Sequence, residues 1–159
     1  AHSGQSSEWD ETIARELGAN QVDGKWASWH LKVNISNTFF DVTHHGPNVS
    51  KFEWLRENQA RQYAKNVVAK YIAREQRPPD VIIRSHVHQG LITEVDAFGH
   101  RVIMCITPCW QWRTPHVSRV ANSDDLSDIG GLWLRVSNGK VLDCDLDRII
   151  LPNSTIALA

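Results

Sequence analysis

TFFDVTHHGP (residues 38–47) and PDVIIRSHVHQG (residues 79–90) bracket the stretch that decides the fold. Thr38–Thr43 is apolar and rich in β-formers, and His44-His45-Gly46-Pro47 ends it abruptly. Val81–Arg84 is a second short, β-branched run. Between them, Ser50-Lys51-Phe52-Glu53 has the pattern of a capping box. It opens a helix expected to run to about Glu75, with Phe52, Leu55, Tyr63, Val67, Val68, Tyr71 and Ile72 on its buried side. Arg77-Pro78-Pro79-Asp80 stops that helix. A strand–helix–strand crossover of this length sets its two strands parallel. Ligands of open α/β sheets bind beyond the carboxyl ends of such strands. His44-His45 follows the first strand and His86-Val87-His88 the second, so the topology alone carries both histidine clusters to one rim. His86 and His88 are two positions apart, and in an extended segment they project the same way. Two imidazoles so placed serve one metal ion, or two ions a few ångströms apart.

The flanking sequence fits a mixed α/β protein. Upstream, Ser7 caps a short helix from Glu8, whose Trp9, Ile13 and Leu17 form an apolar stripe and whose natural stop is Gly18. Gln21–Gly24 reads as a turn, and Trp29, Leu31 and Val33 alternate as in a half-buried strand. Downstream, strands are expected over Leu91–Val95, Arg101–Thr107, Leu132–Val136 and Val141–Ile150, with turns at Phe98-Gly99 and Asn138-Gly139. Trp110 and Trp112 are read first as core or hairpin packing, and second as stacking surfaces for a nucleotide with Arg113 beside them. His30, His100 and His116 are read as ordinary strand or loop histidines.

Composition narrows the function classes. The chain has 159 residues, enough for one domain with a real core, and a formal net charge of −1, so no overall basic field draws it to nucleic acid or a membrane. No apolar run approaches the roughly 20 residues of a membrane helix, and no secretory signal is visible. The three cysteines, Cys105, Cys109 and Cys144, suggest a reducing, cytoplasmic setting rather than a disulfide framework. The chain begins Ala1-His2 rather than with Met, from which further residues upstream are expected.

DVTHHGP (residues 41–47) and PDVIIRSHVHQG (residues 79–90) together resemble the C-terminal half of the calcineurin-like metallophosphoesterases, with Ser85 where that family's Gly-His-x-His motif has its glycine. ITPCWQW (residues 106–112) and the IGGLWLRV hairpin (residues 129–136) are similar to the strands that close the family's second sheet. The resemblance implies the C-terminal part of a four-layer α-β-β-α sandwich, within a single domain over residues 1–159 that belongs to a longer enzyme. It also implies two divalent metal ions. His44 and His86 would bind one ion and His88 the other, and His45 would be a supporting neighbour or the alternative ligand. His2 would be the remnant of an Asn-His motif that acts on the leaving group. The implied activity is hydrolysis of phosphate mono- or diesters, nucleotides or nucleic acid among them. The family's Asp-x-His and Gly-Asp motifs, which supply the bridging carboxylate, have no counterpart here. Asp10, Asp23 and Asp41 stand in the wrong surroundings, so the acidic half of the site is expected from a missing N-terminal half. All-imidazole donors suit Zn, Mn, Fe or Ni better than Ca or Mg.

Two other classes compete. A zinc nucleobase deaminase needs His-x-Glu and Pro-Cys-x-x-Cys, but His88 and Trp112 occupy the essential positions. A non-catalytic α/β binding or assembly module, with the histidines as polar rim groups, is the alternative that the missing acidic residues support.

Overall fold

A computed structural model gives the fold and describes residues 8–47, 53–110 and 128–149. Ser7, the proposed capping segment Ser50–Phe52 and Ile150 lie outside the described residues. The chain divides into two compact units, Ala1–Leu31 and Lys32–Ala159.

In the first unit, helix α1 (Glu8–Glu16) ends as the sequence suggests. Gly18 takes φ +74°, its N–H reaches the Arg15 carbonyl, and the Ala19 N–H reaches the Ala14 carbonyl, which satisfies the last turn's orphan carbonyls. Asp23 and Gly24 both have positive φ and turn the chain tightly between Val22 and Lys25. The Glu11 carboxylate accepts hydrogen bonds from the backbone N–H of Trp26 and Ala27 at 2.7 and 3.2 Å. The expected apolar stripe is not covered: Trp9, Ile13 and Leu17 are all more than half exposed.

The second unit holds the sheet. Strands β1 (His30–Ile35), β2 (Thr38–Thr43), β3 (Val81–Arg84), β4 (Leu91–Ala97) and β5 (His100–Ile106) lie in the order β1-β2-β3-β5-β4. Helix α2 (Glu53–Ile72) is the crossover from β2 to β3, and those strands are parallel, as expected. β5 extends the parallel set beside β3, and β4 closes the edge antiparallel to β5. Strands β6 (Ile129–Ser137) and β7 (Lys140–Ile149) form a separate antiparallel pair. The fold is thus α/β, with a mixed five-stranded sheet, a two-stranded sheet and two helices.

Alternation along the strands divides the core into two faces. Ile82, Val102, Met104 and Ile106 pack beneath Ala60, Ala64 and Val68 of α2. Phe40, Val81 and Cys105 point the other way, against Leu132, Leu134, Val136, Val141 and Cys144 of the β6–β7 pair. The buried face of α2 is the expected one at Tyr63, Val67, Val68 and Tyr71. Leu55 and Ile72 are exposed instead, and Ala60 and Ala64 join the buried face. The β6–β7 ribbon turns at Asn138-Gly139, as its sequence predicts, and the Gly139 N–H donates to the Ser36 carbonyl in the β1–β2 turn.

Candidate metal-binding rim

The carboxyl ends of β2, β3 and β5 lie side by side and build one rim. Pairing persists past the ends of β2 and β3, because the Ser85 N–H donates to the His44 carbonyl at 3.1 Å. Likewise the Thr107 N–H donates to the Arg84 carbonyl, and the Thr107 hydroxyl donates to Ser85 Oγ at 2.9 Å. The first histidine loop folds back on itself through the Thr43 hydroxyl, which donates to the His45 carbonyl.

These restraints gather three rings. Centroids of His44 and His45 lie 5.0 Å apart, those of His44 and His86 5.1 Å, and those of His45 and His86 4.6 Å. His44 Nε2 and His86 Nδ1 approach to 3.2 Å. The contact is a hydrogen bond whose donor depends on the ring tautomers, and its length is close to the roughly 3.4 Å between two nitrogens each about 2.0–2.1 Å from a tetrahedral ion. The expected extended geometry of the second loop is not found. His86 and His88 adopt φ of +72° and +60°, in the left-handed region, so the spacing rule for strands does not govern where their rings point. His88 is half-buried, and its imidazole is held below its ordinary pKa chiefly by burial, with nearby His86 adding a smaller effect. His45 belongs to the ring cluster, whereas His2 lies outside the described residues. Among the described residues no three His, Cys, Asp or Glu side chains are placed to hold a metal ion together. The described residues thus offer two close imidazole nitrogens and do not complete a site for even one ion.

The floor of the rim is a buried ion pair. Asp41 and Arg84 each stand as a lone charge in an apolar strand, and both point to the α2 side. Their side chains are 2% and 3% exposed and meet at 2.7 Å. The Tyr71 hydroxyl donates to Asp41 Oδ2 at 2.6 Å, and burial together with that carboxylate pushes the phenol's pKa upward. Arg84 donates to the Tyr63 hydroxyl and to the carbonyls of Asp41 and Ile83. Gly46 lies directly on this arginine, where an added Cβ would come within 2.7 Å of Arg84 Cβ. The opposite signs of Asp41 and Arg84, in two strands expected to pair, were the one sequence signal for this network.

A third wall comes from the ribbon. The Asp128 N–H donates to the His88 carbonyl, and Asp128 Oδ2 accepts from the Gly90 N–H at 2.7 Å. Arg148 donates to the Gly90 carbonyl and pairs with Asp128 at 3.7 Å. Nothing in the sequence marks Asp128 and Arg148 as partners of the second histidine loop. Cys109 bridges to Ile129, which leaves Trp110 beside Gly131 and 72% exposed rather than packed in a core. Trp112, Arg113 and His116 lie outside the described residues. His100 has an ordinary structural role, bonded to the Pro79 carbonyl at 2.9 Å.

No family model matches the sequence, and no curated protein matches it. Among solved structures, the solution NMR structure of Thermotoga maritima protein TM1076 aligns over 76% of this chain at 12% identity, with a TM-score of 0.38. The alignment covers 54% of that protein, so this chain spans just over half of its length. Among the described residues no helix is long and apolar enough to cross a membrane.

Proposed function

We propose that the rim is the imidazole side of a metal-dependent phosphoesterase site. One observation carries the reading: His44 Nε2 and His86 Nδ1, from loops after adjacent parallel strands, stand 3.2 Å apart with the bite of a shared ion. His44 and His86 would hold that ion through neutral nitrogens, with His45 and His88 as the nearest further donors. A bound divalent ion supplies Lewis-acid polarisation of a phosphoryl oxygen and lowers the pKa of a water. The residues of this chain position and confine. Arg84 and Asp41 fix the floor, Asp128 and Arg148 hold the second loop, and exposed Trp110 offers a flat surface to an aromatic group on a phosphate mono- or diester. The two-ion centre implied by the resemblance needs metal-binding carboxylates, and the rim's Asp41 and Asp128 are engaged by Arg84 and Arg148 instead. On this reading the metal-binding carboxylates come from a sequence partner beyond this chain, and the whole acts in the cytoplasm.

The test is metal content of the purified chain after exposure to zinc or manganese at neutral pH, beside His44→Ala and His86→Ala. Stoichiometric metal in the parent that is lost in both variants is the expected result. Equal metal in all three would remove these residues as ligands. Hydrolysis of bis- against mono-p-nitrophenyl phosphate then separates diester from monoester chemistry. A second reading, a non-catalytic binding or assembly module, is favoured by the absence of a three-donor group among the described residues. A metal-free parent chain would support that reading.

A further inference from the structure

We propose that Cys105 and Cys144 form a reversible disulfide that staples the two sheets together. The observation is independent of the histidine rim. Cys105 lies in β5, between β3 and β4 in the five-stranded sheet, and is fully buried. Cys144 lies in β7, on the face of the ribbon that covers the sheet, and is half-buried. The two sulfurs are 3.8 Å apart, although the residues are 39 positions apart in sequence. A disulfide needs about 2.05 Å between sulfurs, so the pair must close by less than 2 Å. Sulfur–sulfur contact across two packed sheets already places both side chains on the facing surfaces.

The chemistry assigns different parts to the two thiols. Cys144 is the more accessible, and its hydrogen-bond contact with the Cys105 sulfur lowers its pKa and so favours its thiolate. Cys105, in an apolar setting, keeps its proton. A small disulfide such as oxidised glutathione is the oxidant. The Cys144 thiolate attacks one of its sulfurs, the oxidant's S–S bond breaks, and one glutathione thiolate leaves. The Cys105 sulfur then attacks Cys144 Sγ, its proton passing to the departing second glutathione. The protein loses two hydrogens, and the oxidant becomes two thiols.

The consequence is mechanical. Among the described residues β6 and β7 form a two-stranded sheet of their own, tied to the rest by a bridge from Ile129 to Cys109, the apolar layer and a few hydrogen bonds. A covalent link there closes a long loop in the unfolded chain. It also fixes the ribbon whose Asp128 and Arg148 hold the His88–Gly90 loop.

The test treats the purified chain with oxidised glutathione, traps thiols with an alkylating agent and maps peptides by mass spectrometry. A Cys105–Cys144 peptide is expected, present in the parent and in Cys109→Ser, absent in Cys144→Ser and removed by a dithiol reductant. The oxidised chain should melt several degrees higher, and β6–β7 amides should exchange more slowly. The parent carries its own refutation, so the outcome does not depend on any variant folding. Cross-links to Cys109 instead, mixed glutathione disulfides that never resolve, or an unchanged melting temperature after linkage would each overturn the staple.

Discussion

Replacing Arg84 by Met tests the buried floor of the rim. The substitution keeps most of the side chain's volume and removes its charge, its 2.7 Å contact with Asp41 and its hydrogen bonds to Tyr63 and two carbonyls. Asp41 would be left 2% exposed without the Arg84 guanidinium. Breaking a buried pair from one side typically costs about 3–5 kcal/mol, because the surviving charge stays desolvated. The Tyr71 hydroxyl still donates to Asp41, which places the expected loss near the lower end, about 3 kcal/mol. For a domain of this size that is a fall of roughly 6–12 °C in melting temperature. Asp41→Asn, which leaves the arginine unpaired, should cost a similar amount. The double variant carries neither charge and should lose much less than the sum, with a coupling of at least about 2 kcal/mol. Urea denaturation of all four proteins, read as midpoint times slope, gives the cycle. A loss below about 1 kcal/mol for Arg84→Met, or additivity within about 0.5 kcal/mol, would show that the pair carries no such energy.

Three further outcomes are expected. Thr38 is fully buried, and its hydroxyl has no hydrogen-bond partner among the described residues, so Thr38→Val should be neutral or stabilising by up to about 1 kcal/mol in the same assay; a loss above that would reveal a hidden partner. Gly130 has φ +152°, and an added Cβ would overlap the Asp147 carbonyl, so Gly130→Ala should cost at least about 3 kcal/mol and expose the β6–β7 pair to proteolysis; an intact, protease-resistant variant would contradict this. Burial holds the folded His88 below its ordinary pKa of about 6.5, so the unfolded chain takes up a proton first as pH falls. The stability present above that value is lost as pH falls toward the folded pKa. Asn tolerates the φ of +60° at this position, so His88→Asn in metal-free buffer should show a shallower fall in urea midpoint from pH 7 to about pH 5, and an equal slope would exclude His88 as its source.

What the sequence made legible follows from how local each signal is. The parallel pairing of β2 and β3 came from the length of the crossover and the apolar runs at its ends, and the Asn138-Gly139 turn from its two residues alone. Both are set within a few positions of the chain. The face of α2 was legible at Tyr63, Val67, Val68 and Tyr71, whereas buried Ala60 and Ala64 were missed because large side chains carry the apolar signal. The direction of His88 was illegible because the period of a strand holds only for extended backbone, and two histidines in the left-handed region break it. Trp110 was read as packing on composition, yet the path of Cys109 alongside Ile129 leaves it exposed. Asp128 and Arg148 lie far along the chain from the loop they hold, and only the placement of the ribbon brings them there.

The buried charges and the histidine pair are two consequences of a single register. β2 and β3 pair Asp41 with Ile82 and Thr43 with Arg84, which puts Asp41 and Arg84 diagonally together under α2. The same register sets His44 one residue beyond Thr43 and Ser85 one beyond Arg84, and from there the His44 carbonyl receives the Ser85 N–H. A slip of one residue would turn β2's side chains to the opposite face. It would carry Asp41 into the apolar layer formed by Phe40, Val81 and the ribbon, away from Arg84. An apolar pair at these positions would pack without that penalty and would let neighbouring registers compete. The ion pair therefore contributes specificity more than net stability. The specificity falls on the strand ends from which the His44 and His86 loops depart, where a register error would separate the two nitrogens beyond the reach of one ion.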